Sequence, residues 1–373
     1  MTITGSPAEV VGGCRVEVAT GVAHLDREAW NDVVRDGGGS VFHTWEWLAA
    51  FEEAPPGDFE PAHQLAYDGD RLIGVCPAYL VHRCPRLDRV AETAGIEFGG
   101  PVLLAHSLAA FAGGPIVVPD HPEAEVALMS GLADTATALG AWAWGAVNLP
   151  AGRLVGRLIG AGYATARVNT TYLLDTRHTS VEDYWSTFRS KHRRELQRER
   201  RVLTQRGIHI TESTPDVDTH VRLVQGVVAD HGASLDVLPE DFLRALHRHL
   251  APYDRSLTAT DLSGDAIAVF AAYEFGAQRS LWLAGLDVDR LDSFGPYRPM
   301  LATAVESAVT AGISQVNLGR GNPAPKRRVG AVAAPLYLAL ATGSRARTAL
   351  LHAALRDLER DGTSPVDVGN GCC

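Results

Sequence analysis

The chain has 373 residues, too many for one ordinary core and a suitable length for two domains. Hydrophobic residues make up 46% and charged residues 21%, which supplies enough apolar surface for packed cores and excludes a disordered chain. The formal net charge of −10 excludes a surface built for non-specific DNA binding.

Residues 1–14, rich in Gly, Thr and Ser, read as a flexible lead-in. A short helix is expected over 26–34 with Trp30 inward, and a second over 42–51, whose apolar residues recur at helical spacing. Residues 63–67 and 71–80 read as a hairpin around Asp68, Gly69 and Asp70, with Pro77 predicting a bulge or an edge position. Residues 85–120 read as irregular. Then come a helix over 123–139, a strand over 141–149, a helix over 154–162 and a strand over 170–175.

The second half repeats this order. Residues 181–207 read as mostly helical and 208–212 as a strand. Helices follow over 216–232 and 239–250, then strands over 256–261, 266–275 and 279–286. A helix over 297–312 leads into a strand over 315–318, and a strand over 333–341 precedes a helix over 345–360. Each half therefore reads as helices, an antiparallel meander, a helix and a strand.

No apolar run reaches the ~18 residues of a membrane span. The first residues lack a basic stretch followed by an apolar one, so no secretion signal is expected and the expected location is the cytoplasm. Cys14, Cys76, Cys84, Cys372 and Cys373 form no CxxC pair and have no zinc-like His spacing, which reads as free thiols in a reducing compartment and predicts no metal site.

Charge is unevenly placed. Residues 1–175 hold 10 Lys/Arg against 21 Asp/Glu, and residues 176–373 hold 24 against 23. Only two of the 34 basic residues are lysines, Lys191 and Lys326. Lysine is a compact ammonium whose pKa shifts readily, whereas arginine stays charged, so both lysines are candidates for a role that arginine cannot fill. Residues 189–206 carry eight Lys/Arg against Glu195 and Glu199, including Lys191, Arg193, Arg194 and Arg198. Such a helix reads either as solvated and laced with ion pairs or as a face for donor phosphates.

Gly319, Arg320, Gly321 and Asn322 form a turn after a strand, and Lys326 follows within a Lys-Arg-Arg run. Glycines there permit close backbone approach, and free N–H groups can take an anion. These segments, 188–207, 280–285, 297–312 and 316–330, resemble the FemAB-like branch of the GNAT acyltransferase superfamily, the group often labelled peptidoglycan biosynthesis or recognition proteins. The resemblance spans about residues 40–340. It implies an α/β (α+β) fold of tandem GNAT-like domains, each a mixed, mainly antiparallel sheet flanked by helices. The expected domains are 15–175, 176–345 with the active site, and 346–373 as a C-terminal helix and tail.

The resemblance further implies an acyltransferase without a tightly bound cofactor. Its expected reaction moves an aminoacyl group from aminoacyl-tRNA to an amine or hydroxyl of a small metabolite or cell-wall precursor. Acyl-CoA is the alternative donor, and a non-catalytic binding module is the third reading. The donor loop argues against CoA: GNAT folds usually hold it with a Gly-rich loop, but residues 287–297 contain Asp287, Asp289 and Asp292 and one glycine. Lys326 is expected to steady an oxyanion or a phosphate. Tyr297, Asp287, Asp289 and His231 are candidate bases, with His231 also readable as a helix-end cation. Trp282, readable as core or as a pocket wall, and Trp45 are candidate pocket residues. The expected partners are tRNA and a small acceptor, with no DNA and no membrane span.

Overall fold

The computed structural model describes residues 10–11, 13–83, 91–92, 95, 97–105, 110–230, 235, 238–287, 289–291 and 295–360. The chain forms two compact units, the first from residues 1–170 with 335–373 and the second from residues 171–334. Residues 335–345, which the sequence order assigns to the second domain, belong instead to the first unit.

The first unit contains β1 (Val10–Val11), β2 (Cys14–Ala19), α1 (Arg27–Asp36), α2 (Trp45–Glu53), β3 (Asp58–Pro61), β4 (His63–Asp68), β5 (Arg71–Cys76) and β6 (Tyr79–Arg83). It continues with β7 (Val102–Ala105), β8 (Ile116–Val117), α3 (Ala124–Ala138), β9 (Ala143–Pro150), α4 (Arg153–Gly160) and the start of β10 (Ala164–Asp175). The Asp26 carboxylate caps α1 by accepting from the Glu28 and Ala29 amides, and the helix buries Trp30, Val33 and Val34. Pro77 ends β5, which pairs with β4 and β8, before β6 pairs with β3 and β7. The single strand expected over 71–80 is thus two strands in different pairings, because proline withholds the ladder donor. The lead-in also carries structure: Val10–Val11 pairs with β2.

The second unit takes the end of β10, then α5 (Val181–Ser186), α6 (Ser190–Gln205), β11 (His209–Glu212), α7 (Val217–Asp230), α8 (Glu240–His249), β12 (Leu257–Thr260), β13 (Ala266–Phe275) and β14 (Gln278–Leu286). α9 (Tyr297–Thr310), β15 (Gln315–Arg320) and α10 (Pro323–Arg328) follow. Its strand order is β11-β12-β13-β14-β15-β10, antiparallel except for the parallel pair β14–β15 that α9 connects. Both units are mixed, mainly antiparallel sheets with flanking helices. A core of Tyr172, Leu174, Phe270, Leu281, Met300, Leu301, Val305, Val316 and Leu318 fills one face of the second sheet beneath α9.

The helix expected over 181–207 is two. The Arg193 guanidinium donates to the carbonyls of Trp185 (3.1 Å) and Phe188 (2.9 Å), satisfying groups that the break between α5 and α6 releases. The structure also adds α10, a short helix opened by Pro323 and Pro325, whose missing N–H groups cost nothing in a first turn. The last strand, β16 (Val332–Ala341), and α11 (Arg345–Arg360) return the chain to the first unit.

Candidate functional site

The site is built on one turn. β15 ends in Gly319 and Arg320 and Gly321 follows, and the glycines hold φ of +72° and +67°, a region closed to most side chains. Asn322 continues at φ +41° as the residue before α10. One oxygen fastens the turn at its base: Asn317 Oδ1 accepts from Thr171 Oγ1 at 2.6 Å and from the Gly319 amide at 2.9 Å. At the other end the Asn322 side chain is hydrogen-bonded to Tyr297, the first residue of α9.

α10 brings Lys326 back over this turn. Its Nζ donates to the Arg320 carbonyl at 2.6 Å and lies 5.5 Å from the centre of the Tyr172 ring. Lys326 is only 3% exposed, and no carboxylate pairs with it among the described residues. Burial, and then the Arg320 charge, bring its pKa down to about 7. Burial likewise pushes the Tyr297 phenol up to about 12, against the effect of its Asn322 hydrogen bond. Tyr297 therefore remains protonated at neutral pH and is suited to donating a hydrogen bond, not to acting as a base. Its ring meets Phe270 edge-on at 5.0 Å.

The basic helix α6 divides into two faces. Leu196 and Leu203 are buried. On the same side Arg200 forms a two-pronged pair with Glu306 (2.6 and 3.0 Å), and Glu199 pairs with Arg298. Arg193 is committed to the Trp185 and Phe188 carbonyls. Lys191, Arg194, Arg198 and Arg201 are exposed, and no carboxylate pairs with any of them among the described residues. At ~100° per residue these four fall within about 80° of the helix circumference, along roughly 15 Å of its axis. Of the expected donor contacts on this helix, Lys191, Arg194 and Arg198 are available and Arg193 is structural.

The remaining sequence candidates lie elsewhere. Asp287 accepts from Arg222 Nη1 at 3.0 Å, and no contact joins it to Lys326 or Tyr297 among the described residues. Nearby, Arg290 pairs with Asp261 and Asp265, so the loop after β14 is tied to the β12–β13 hairpin. Trp282 is buried against Phe242 and Tyr273, at 6.2 and 6.4 Å between ring centres. Trp282 sits at a bulge in the β13–β14 pairing, and its ring partner Tyr273 alternates with the core residues Phe270 and Ala272 on β13, so both lie on the opposite face of the sheet from that core. Trp45 is in the first unit, where its indole N–H donates to the Val22 carbonyl at 2.7 Å. His231 and Asp292 lie outside the described residues, as do Cys84, Cys372 and Cys373. Cys14 and Cys76 are buried free thiols.

Thr171, Tyr172 and Asn317 escaped the sequence reading. The only available signal was an Asn two residues before the Gly-rich turn; its partner Thr171 lies 146 positions away. Among the described residues no group of three or more His, Cys, Asp or Glu side chains could hold a metal ion, and no helix is long and apolar enough to cross a membrane.

The FemAB-like family profile, described as peptidoglycan biosynthesis/recognition, matches residues 21–225, and the acetyltransferase (GNAT) domain profile matches residues 190–327. No curated protein matches the chain in sequence. The fold is similar to that of FemX, at 11% identity and a TM-score of 0.62, covering 85% of this chain and 96% of that one. It is also similar to the C-terminal domain of a putative lysylphosphatidylglycerol synthetase from Agrobacterium fabrum, at 15% identity and 0.54, covering 89% and 95%. A tandem GNAT protein from the clavulanic acid biosynthesis pathway aligns at 12% identity and 0.52, covering 89% and 99%. The Gly-rich turn, the lysine folded over it and the basic helix of the second unit lie on the matched segments, and the chain belongs to the FemAB-like family of GNAT-type acyltransferases.

Proposed function

We propose that this acyltransferase moves an aminoacyl group from aminoacyl-tRNA to an amine or hydroxyl of a small metabolite or cell-wall precursor, in the cytoplasm and without a tightly bound cofactor. The observation that carries this reading is the exposed stripe Lys191, Arg194, Arg198 and Arg201 on α6. It offers a row of cations to a nucleic-acid backbone, and each neutralised phosphate adds salt-sensitive affinity. The name of one fold relative, lysylphosphatidylglycerol synthetase, supports aminoacyl chemistry by analogy. In this reading the stripe takes donor phosphates, and the Gly319, Arg320, Gly321 and Asn322 turn takes the donor end. Lys326 and the Tyr297 phenol stand at the reacting carbonyl, where positioned N–H and O–H donors stabilise a developing oxyanion.

A second reading is acyl transfer from CoA. It is favoured by the acetyltransferase profile over residues 190–327. The two separate by ligand-dependent thermal stabilisation, since a donor at 100 times its dissociation constant adds about 2.7 kcal/mol. Aminoacyl-tRNA is expected to raise the melting temperature and to lose labelled amino acid to a supplied cell-wall precursor or amine. Stabilisation by acetyl-CoA at micromolar concentration, with none by aminoacyl-tRNA, would replace the first reading by the second.

A further inference from the structure

The surroundings of Lys326 do not suit a permanent ammonium. Among the described residues it has one oxygen acceptor, the Arg320 carbonyl at 2.6 Å, for three N–H groups. Among the described residues, the groups in contact with it are cationic or neutral. β15 brings Arg320, β10 brings the Tyr172 ring, and α10 brings Arg327, whose guanidinium lies 6.0 Å from the centre of that ring. Asp287 is held by Arg222. A neutral amine fits this place better: it keeps one N–H on the carbonyl and leaves its lone pair free. A pKa of about 7 agrees with that geometry.

We propose that Lys326 enters the reaction as the neutral amine and carries the proton of acyl transfer from the acceptor nitrogen to the departing oxygen. This rests on the reading that an aminoacyl ester is the donor and an amine the acceptor. The acceptor nitrogen attacks the ester carbonyl carbon, a C–N bond forms, and the carbonyl π pair moves to oxygen. The surplus proton on that nitrogen passes to Nζ. When the carbonyl re-forms, the bond to the ribose oxygen breaks with its electron pair, and Nζ returns the proton to that oxygen. Nothing is oxidised or reduced, and Lys326 ends neutral. Between the two transfers it is an ammonium beside the oxyanion, supported by the Arg320 carbonyl and the face of Tyr172. The residue thus serves as base, then as electrostatic support, then as acid.

Possession of only two lysines makes the test direct. The full chain labelled with 15N-lysine gives two side-chain amine signals, and the one missing in Lys326→Arg is that of Lys326. Its protonation midpoint is expected near 7, and wild-type turnover is expected to rise with pH through the same midpoint. Lys326→Arg keeps a positive charge but cannot release a proton. It is expected to melt below the wild type, because it fixes a charge in a buried place, and its folded fraction is expected to lose at least ~100-fold in turnover. An ammonium that persists to pH 9 overturns the proposal. So does a Lys326→Arg variant that keeps more than about a tenth of wild-type turnover, which would show that a fixed cation suffices. The titration needs no donor, so failure of the tRNA reading does not touch it, and a midpoint far above neutrality sinks the proposal with any donor.

Discussion

His220 shows how a single buried side chain can govern the acid limb of stability. It lies on α7, 5% exposed, with neither ring nitrogen partnered among the described residues, and its ring meets that of His247 edge-on at 6.2 Å. Burial, and then the His247 charge, lower its pKa from 6.5 to about 4, while Asp254 pulls the other way. The unfolded chain therefore binds this proton more readily than the folded one. The resulting stability is fully present above pH 6.5 and is lost as pH falls through 4, on the order of 3 kcal/mol in total for such a shift. His43 moves in the same direction, also to about 4 and also through burial. Urea unfolding at pH 7 and pH 4.5 checks this: His220→Leu should lose about 2 kcal/mol less than wild type between the two conditions, and an equal loss would assign the acid limb to other groups. Residues of this kind are invisible in a sequence, where His220 is one histidine among 14. Lys326 was legible because almost every other cation is arginine. Its carbonyl partner and Tyr172 were not, because strand pairing between β10 and β15 decides them.

Helix α6 carries information that neither its composition nor its length reveals. The local excess of six positive charges says that acids cannot cancel the field, and it leaves open which cations face solvent. Packing decides this. Arg200 and Glu199 are drawn to Glu306 and Arg298 of α9, and Arg193 closes the end of α5. The four cations on the far side stay free for a ligand. Changing Lys191, Arg194, Arg198 and Arg201 together to Glu should weaken donor binding and flatten its salt dependence. If all four touch phosphates, the slope of log K against log salt falls by about 3. The melting temperature should change little, because exposed unpaired cations contribute little to stability. Arg200→Ala is the contrasting variant, lowering the melting temperature while leaving the salt slope unchanged. Filter binding at 50–300 mM salt (roughly the informative range) separates the two, and an unaltered slope in the quadruple variant would make the stripe a solvated face. The break between α5 and α6 was illegible for the same reason: it is stabilised by a side chain five residues beyond Phe188, not by a local Gly or Pro.

At the scale of the whole molecule, the order of elements along the chain predicted two modules in series, whereas the structure returns residues 335–373 to the first unit. β16 is an almost continuous apolar run that becomes fully buried over Leu338–Ala341, and nothing in such a run names a partner. The structure pairs Leu336–Ala341 with β9, in the first unit. There Gly145 is required by close approach, since a Cβ at that position would lie 1.8 Å from the Ala339 carbonyl oxygen. α11 then buries Leu351, Ala354 and Leu355. α11 therefore contributes buried side chains to the first unit. Deleting residues 342–373 removes those buried leucines, and a loss of two such side chains costs several kcal/mol, at about 2–5 each by analogy with large-to-small substitutions. Hydrogen exchange on the truncated chain should show lost protection in β7 and β9, with β13 and β14 protected as before. The 15N signal of Lys326 should keep its midpoint, because its contacts to Arg320 and Tyr172 lie wholly within residues 171–334. If β13 and β14 lose protection in step with β9, the two units unfold as one cooperative body, and the boundary at residues 170 and 335 is geometric rather than energetic.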